Sequence, residues 1–183
     1  MKRRTKIAAV TLGAALLLTA GTAGAALASG GGVHHPVREA ASLTGTAKLY
    51  RSAGDDITFT FDAHLAAKDT RNPRKATGTF AFSHYLHGRG AWAGARVDCL
   101  VTGGEVAVVS GVITASDLPG AKGRRVGVTV HDLGRHDRLG YSWAGVGSPT
   151  DTGDLPPCVS SAPFEKVKKG TGDFTVVPWQ PRL

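Results

Sequence analysis

Apolar and polar residues alternate with a period of two along most of the chain. Ile57, Phe59, Phe61, Ala63 and Leu65 fall on one face of an extended segment, while Thr58, Thr60, Asp62 and His64 fall on the other. This is the pattern of a strand with one buried face. Comparable segments run at about 43–51, 76–85, 91–102, 105–115, 124–131, 139–144 and 172–178, rich in Val, Thr, Phe, Tyr and Trp and separated by Gly, Pro, Asp and Asn. No segment keeps a helical period for ten residues. The pattern predicts an all-β fold of about eight antiparallel strands joined mostly by short turns, in a sandwich or a small barrel.

Gly103-Gly104 separates two β-branched runs and has the length and chemistry of a two-residue hairpin turn. The register it implies sets Thr102 opposite Glu105, Val101 opposite Val106 and Cys99 opposite Val108. Cys99 then lies on an apolar face, with Leu100, Val109 and Ile113 on the other, so this hairpin is expected to be covered on both sides. Tyr141 and Trp143 share the parity of Leu139 and are expected in the core.

The first 28 residues break the pattern. Lys2-Arg3-Arg4-Thr5-Lys6 precedes an apolar run from Ile7 to Leu18, and Ala26-Leu27-Ala28 places small residues where a signal peptidase reads. We expect a signal peptide over 1–28, a flexible Gly- and Ala-rich tether over 29–42 that contains His34 and His35, and a single β domain over 43–183. The protein is therefore expected to be secreted and extracellular, with no membrane span after cleavage. The four leader cations carry half of the formal net charge of +8, which leaves a mildly basic domain. Its length is that of one domain with a core of its own. The composition excludes collagen-like and coiled-coil classes. Cys99 and Cys158 are the two cysteines, and an even count in an exported chain reads as one disulfide clamping the long 145–171 connection to a strand.

The stretches Gly78-Thr79-Phe80-Ala81-Phe82, Val97-Asp98-Cys99-Leu100-Val101-Thr102-Gly103-Gly104 with Val108-Val109-Ser110-Gly111, and Gly127-Val128-Thr129-Val130-His131-Asp132-Leu133-Gly134-Arg135-His136-Asp137-Arg138 resemble small secreted actinomycete proteins labelled repetin, within a wider group of bacterial extracellular β domains. The resemblance spans about residues 43–178. It implies a common fold and the Cys99–Cys158 bridge and brings no activity with it.

Candidate chemistry is sparse. The densest polar cluster runs from His131 to Arg138, where His131, Asp132, Arg135, His136 and Asp137 fall within seven residues. Two histidines and two carboxylates suit a divalent cation or a general acid and base. The same residues suit a structural turn, with Asp132 and Asp137 accepting N–H groups left unpaired at strand ends and Gly134 at positive φ. Strand parity turns Asp132 toward the buried side and His131 toward solvent. His84-x-x-His87 has ligand spacing, but on a continuous strand the two side chains point to opposite faces, and His84 follows the apolar parity of Phe80 and Phe82. No nucleophile elbow, phosphate loop or His-Glu-x-x-His motif occurs.

Basic groups recur at Arg71/Arg74/Lys75, Lys122/Arg124/Arg125 and Lys166/Lys168/Lys169. If they converge, an anionic cell-wall polymer or polysaccharide is the expected partner. Nucleic acid is not expected, because the aromatic residues do not interleave with the basic clusters. The reading is a monomeric, non-catalytic, secreted binding or envelope-associated module with no cofactor and no metal. Its signature is an exposed aromatic or basic face. The alternatives are a hydrolase or metal-dependent enzyme using the His131–Arg138 loop, and a small-ligand carrier with a cavity in a β-barrel.

Overall fold

The alternating segments become nine antiparallel strands in a computed structural model of the chain, which describes residues 39–179. They are β1 (Glu39–Lys48), β2 (Asp56–Ala66), β3 (Thr77–Leu86), β4 (Arg89–Gly103), β5 (Val106–Ser116), β6 (Arg125–His131), β7 (Arg138–Tyr141), β8 (Glu165–Lys166) and β9 (Asp173–Val177). All nine belong to one sheet in the order β8-β7-β6-β5-β4-β3-β2-β1-β9, curled into a half-barrel rather than split into the two layers of a sandwich. The only helical pieces among the described residues are single 3-10 turns, and none is long and apolar enough to cross a membrane. The expected signal peptide and tether residues 29–38, with His34 and His35, lie outside the described residues. Residues 39–42 of that expected tether are instead the start of β1, where Ala41 and Ser42 are buried.

Two devices draw the open sides of the sheet together. The 165–168 segment pairs with β7 through Arg138 and Lys166 and also bridges to the end of β1 through Leu49 and Val167. There the Tyr50 amide donates to the Lys166 carbonyl at 2.8 Å and the Lys168 amide to the Lys48 carbonyl at 2.7 Å. Beside it, β9 pairs with β1 along one edge and meets side chains, rather than a strand, along the other.

The concave interior is filled. Phe59 lies within about 6 Å, centroid to centroid, of Phe61, Phe82, Tyr141 and Trp143, and Phe61 meets Phe174 edge-on at 5.3 Å. Trp143 is buried against Phe82 and Tyr141, with centroids 4.4 and 4.9 Å apart. The parity of β7 thus carries through to Trp143, as the sequence pattern implies. Such aromatic contacts exclude water and add directional packing to area burial.

The β4–β5 hairpin departs from the expected register. In β4–β5 the pairs are Gly103 with Val106, Thr102 with Ala107, Val101 with Val108 and Cys99 with Ser110. The turn is Gly104-Glu105, with Gly104 at φ 56° in the first central position, where a primed turn needs positive φ. The turn therefore sits one residue later than the Gly-Gly pair suggests. A bulge between Val97 and Cys99 then shifts the register of β4. Leu100 faces inward opposite Val109, while Cys99 lies on the outer face and is still buried. The hairpin is covered on both sides for this reason. In β3–β4 the strand continues to Leu86, and His87 (φ 49°) and Gly88 (φ 75°) form the turn. Histidine here occupies a left-handed position that asparagine or glycine usually takes.

The outer cover is a strap, residues 145–164, and Cys158 on it is bonded to Cys99 with the Cα atoms 5.3 Å apart. The strap lies flat because Gly127 and Gly140 carry no side chain. A Cβ at Gly127 would overlap the Val159 carbonyl oxygen, and one at Gly140 would overlap that of Ala162. Gly127→Ala is accordingly expected to lower stability by about 1–3 kcal/mol, because either the strap or the strand must move. Thermal unfolding of the two proteins, with the disulfide intact, checks it.

Candidate functional site

The His131–Arg138 loop joins β6 to β7, and its carboxylates point at the free edge of β9. The Asp137 side chain, 1 % exposed, accepts the Leu133 amide at 2.7 Å on one oxygen and the Phe174 amide at 2.9 Å on the other. Asp132 accepts the Gly134 amide at 3.1 Å and the Val176 amide at 3.0 Å. Phe174 and Val176 are alternate residues of β9, so two carboxylates take the place of a neighbouring strand along that edge. Arg135 and His136 stand exposed on a single 3-10 turn. His131 lies at the end of β6 with Nε2 3.7 Å from a Glu105 oxygen. The loop gathers Asp132 and Asp137 at β9 and leaves both histidines and Arg135 apart from them. Neither histidine is hydrogen-bonded to either aspartate among the described residues.

Burial pushes the Asp137 carboxyl above its ordinary value of 3.8, the two amide donors pull it partly back, and the neighbouring Asp173 carboxyl pushes it up again. The folded chain therefore holds this proton more tightly than the unfolded chain. The resulting stabilisation is fully present below the unfolded pKa and is lost as pH rises through the folded pKa. Asp173→Asn removes the like charge, so it is expected to reduce that loss. Urea denaturation from acid to neutral pH should show a shallower decline in the variant than in the wild type.

His84 and His87 do not meet. His84 is more exposed than its apolar parity suggests, and its Nε2 lies 2.8 Å from Asp55 Oδ2 at the rim of the sheet. His87 belongs to the turn. Among the described residues no group of three or more His, Cys, Asp or Glu side chains is arranged to hold a metal ion.

The three basic clusters line separate hollows. Lys122, Arg124 and Arg125 border one with Asp154, and Arg125 is paired to Asp98 at 2.7 Å. Lys168 and Lys169 border another with Arg135 and Asp173. The third combines cations with an aromatic ring. The β2–β3 connection makes two short 3-10 turns, Ala67–Asp69 and Pro73–Lys75. Asn72 Oδ1 caps the second turn by accepting the Arg74 amide at 3.1 Å. Lys68, Arg71, Arg74 and Lys75 project from this braced loop, exposed, and none has an ion-pair partner among the described residues.

Trp179, just beyond β9, completes this site. Its amide donates to Thr102 Oγ1 of β4 at 2.7 Å and its indole N–H to the Thr70 carbonyl at 3.1 Å. The ring is thereby fixed in place while 39 % exposed. It walls a cleft of about 870 Å³ with Lys68, Asp69, Arg71, Asn72 and Lys75. No protein family, curated protein or solved structure matches this chain. The cleft is therefore read from its own chemistry. Trp179 does not interleave with the basic residues along the chain, standing 108 positions after Arg71. The only signal linking them is topological, since β9 returns to β1 beside the end of β2.

Proposed function

We propose that this chain is exported, loses residues 1–28, and acts outside the cell as a non-catalytic module that binds an anionic wall polymer or polysaccharide in the Trp179 cleft. The observation that carries the reading is the hydrogen-bonded indole of Trp179 beside Lys68, Arg71 and Lys75, four residues that line one cleft. An aromatic face supplies apolar contact to a sugar ring, and unpaired cations attract phosphate or carboxylate groups along a chain. Bonding of Cys99 to Cys158 supports an oxidising compartment. A catalytic role for the His131–Arg138 loop draws no support from the geometry, because Asp132 and Asp137 are both engaged with β9. The resemblance to the repetin-labelled group adds no ligand, so the reading rests on the cleft.

The test is co-sedimentation with Gram-positive cell walls before and after acid extraction of their phosphodiester-linked glycan polymer. The wild type should bind intact walls, lose most binding after extraction, and bind less as salt rises. Combined Lys68→Gln, Arg71→Gln and Lys75→Gln replacement should weaken binding about ten-fold while leaving the fold intact. Equal binding to extracted walls, or by the triple variant, would overturn the proposal.

A further inference from the structure

Beside the cationic cleft lies a second hollow of opposite character. It has a volume of about 400 Å³, and its walls are Ala41 of β1, Leu65 of β2, Leu100 and Val101 of β4, and Pro73 of the β2–β3 connection. Ala41, Leu65 and Leu100 are buried beneath its floor, whereas Val101 and Trp179 are exposed, so the apolar surface it offers at the end where β1 begins and β4 finishes comes mainly from Val101, Pro73 and the Trp179 ring. Its volume falls in the range that takes small ligands, and its lining offers hydrocarbon almost throughout. Thr102, the buried polar residue in the wall, is already committed to the Trp179 amide.

The two hollows share Thr70, Arg71 and Trp179. A single ligand passing the Trp179 ring thus meets apolar walls on one side and Lys68, Arg71 and Lys75 on the other. We infer that the apolar hollow receives the acyl chain of an anionic lipid whose charged head lies in the cationic cleft, an inference that rests on the reading of that cleft as an anion site. The juxtaposition selects the occupant. A neutral apolar molecule would leave the cations unused, and a cationic amphiphile would be repelled by them. An acyl chain needs no polar partner along its length, and an apolar cavity gains affinity by taking hydrocarbon out of water. The barrel interior itself is filled by Phe59, Phe61, Phe80 and Phe174, so the ligand sits at the end of the barrel rather than within it.

The experiment is isothermal titration of the disulfide-bonded protein with hexanoate, octanoate, decanoate and dodecanoate, each below its micelle concentration, and with dodecyltrimethylammonium. The expected result is one site per chain, with affinity rising about four-fold per methylene buried until the hollow is full. Dodecanoate should bind at least about ten-fold more tightly than the cation of equal tail length. Val101 is 43 % exposed, so Val101→Trp should fill the hollow without disturbing the core. It should weaken dodecanoate by about ten-fold and leave wall binding unchanged. If that variant fails to fold, the chain-length series on the wild type still decides. Affinity independent of tail length, or equal for anion and cation, would overturn the inference. Dodecanoate binding without wall binding would overturn the polymer reading alone, and wall binding without dodecanoate binding would overturn the lipid inference alone.

Discussion

Replacing Cys99 and Cys158 together by Ala is expected to lower the stability of the domain by about 4 kcal/mol. The two residues are 59 positions apart, and releasing a loop of that length restores roughly this much chain entropy to the unfolded state. The folded state loses something as well. Cys158 sits at φ 65°, a left-handed conformation that a non-glycine residue adopts only when its surroundings hold it there. Its amide donates to Ser110 Oγ at 2.9 Å, and that hydroxyl donates to Asp98 at 2.6 Å. Asp98 also receives Arg125, whose guanidinium reaches the Leu155 carbonyl at 3.1 Å. The bridge thus fastens the strap over the buried Ser110 hydroxyl and the half-buried Asp98 on the outer face of β4 and β5. Without it, Ser110 and Asp98 are expected to become accessible while the aromatic interior stays closed. Thermal unfolding of the double variant should fall by about 10 °C or more. Hydrogen exchange should accelerate first at the backbone amide of position 158, which donates to Ser110 in the bridged protein. An unchanged melting temperature would show that the strap is held by its hydrogen bonds alone.

Asp137→Ala is the second large effect, and about 3 kcal/mol is expected. The substitution leaves the buried Phe174 amide without an acceptor, at a cost of roughly 1–3 kcal/mol, and removes the acceptor of the part-buried Leu133 amide as well. Asp132 is half-buried and its donors can turn to water, so Asp132→Ala should cost about half as much. His136→Ala, on the exposed turn, should change stability by less than about 0.5 kcal/mol. The order Asp137, Asp132, His136 is the specific expectation, and urea denaturation of the three single variants measures it. Equal losses for all three would mean that the loop acts as a unit and not through its contacts with β9.

The strands were legible because period two in a half-buried sheet leaves a direct trace. The Ile57–Leu65 alternation became β2 with those five residues inward. The neighbour-to-neighbour order from β1 to β7 also follows from direct connections between consecutive strands, whereas β8 is reached across the strap and β9 returns to β1. What the pattern hid has local causes. The bulge at Asp98 leaves both Cys99 and Leu100 buried, one on each face, so β4 reads as a continuous apolar run that conceals its own change of phase. The two-residue β8 is too short for any alternation to register, although it helps close the barrel. The start of β1 at Glu39 carries Ala40, Ala41 and Ser42, whose small side chains resemble a linker, yet the segment pairs beside the end of β2 with Ala41 and Ser42 buried.

The candidate site divides in the same way. The structural use of Asp132 and Asp137 was inferable from their types and parity, although the identity of the strand end they satisfy was not. Trp179 is legible only once β9 is known to return beside β1, because a lone tryptophan after a strand carries no sign of its neighbours. Arg71 and Lys75 look like ordinary solvated charges until the ring stands next to them.

Polymer binding in the Trp179 cleft is tested by titrating the isotopically labelled protein with the extracted wall polymer, following the three tryptophan indole N–H resonances. Trp179 donates its indole N–H to the Thr70 carbonyl within the cleft, whereas Trp143 is buried in the core and Trp92 lies in β4, away from the lining of that cleft. The Trp179 resonance should shift in a saturable and salt-sensitive way while the other two stay in place. Binding of the polymer with the Trp179 resonance unmoved, or with Trp92 moving in its stead, would contradict it.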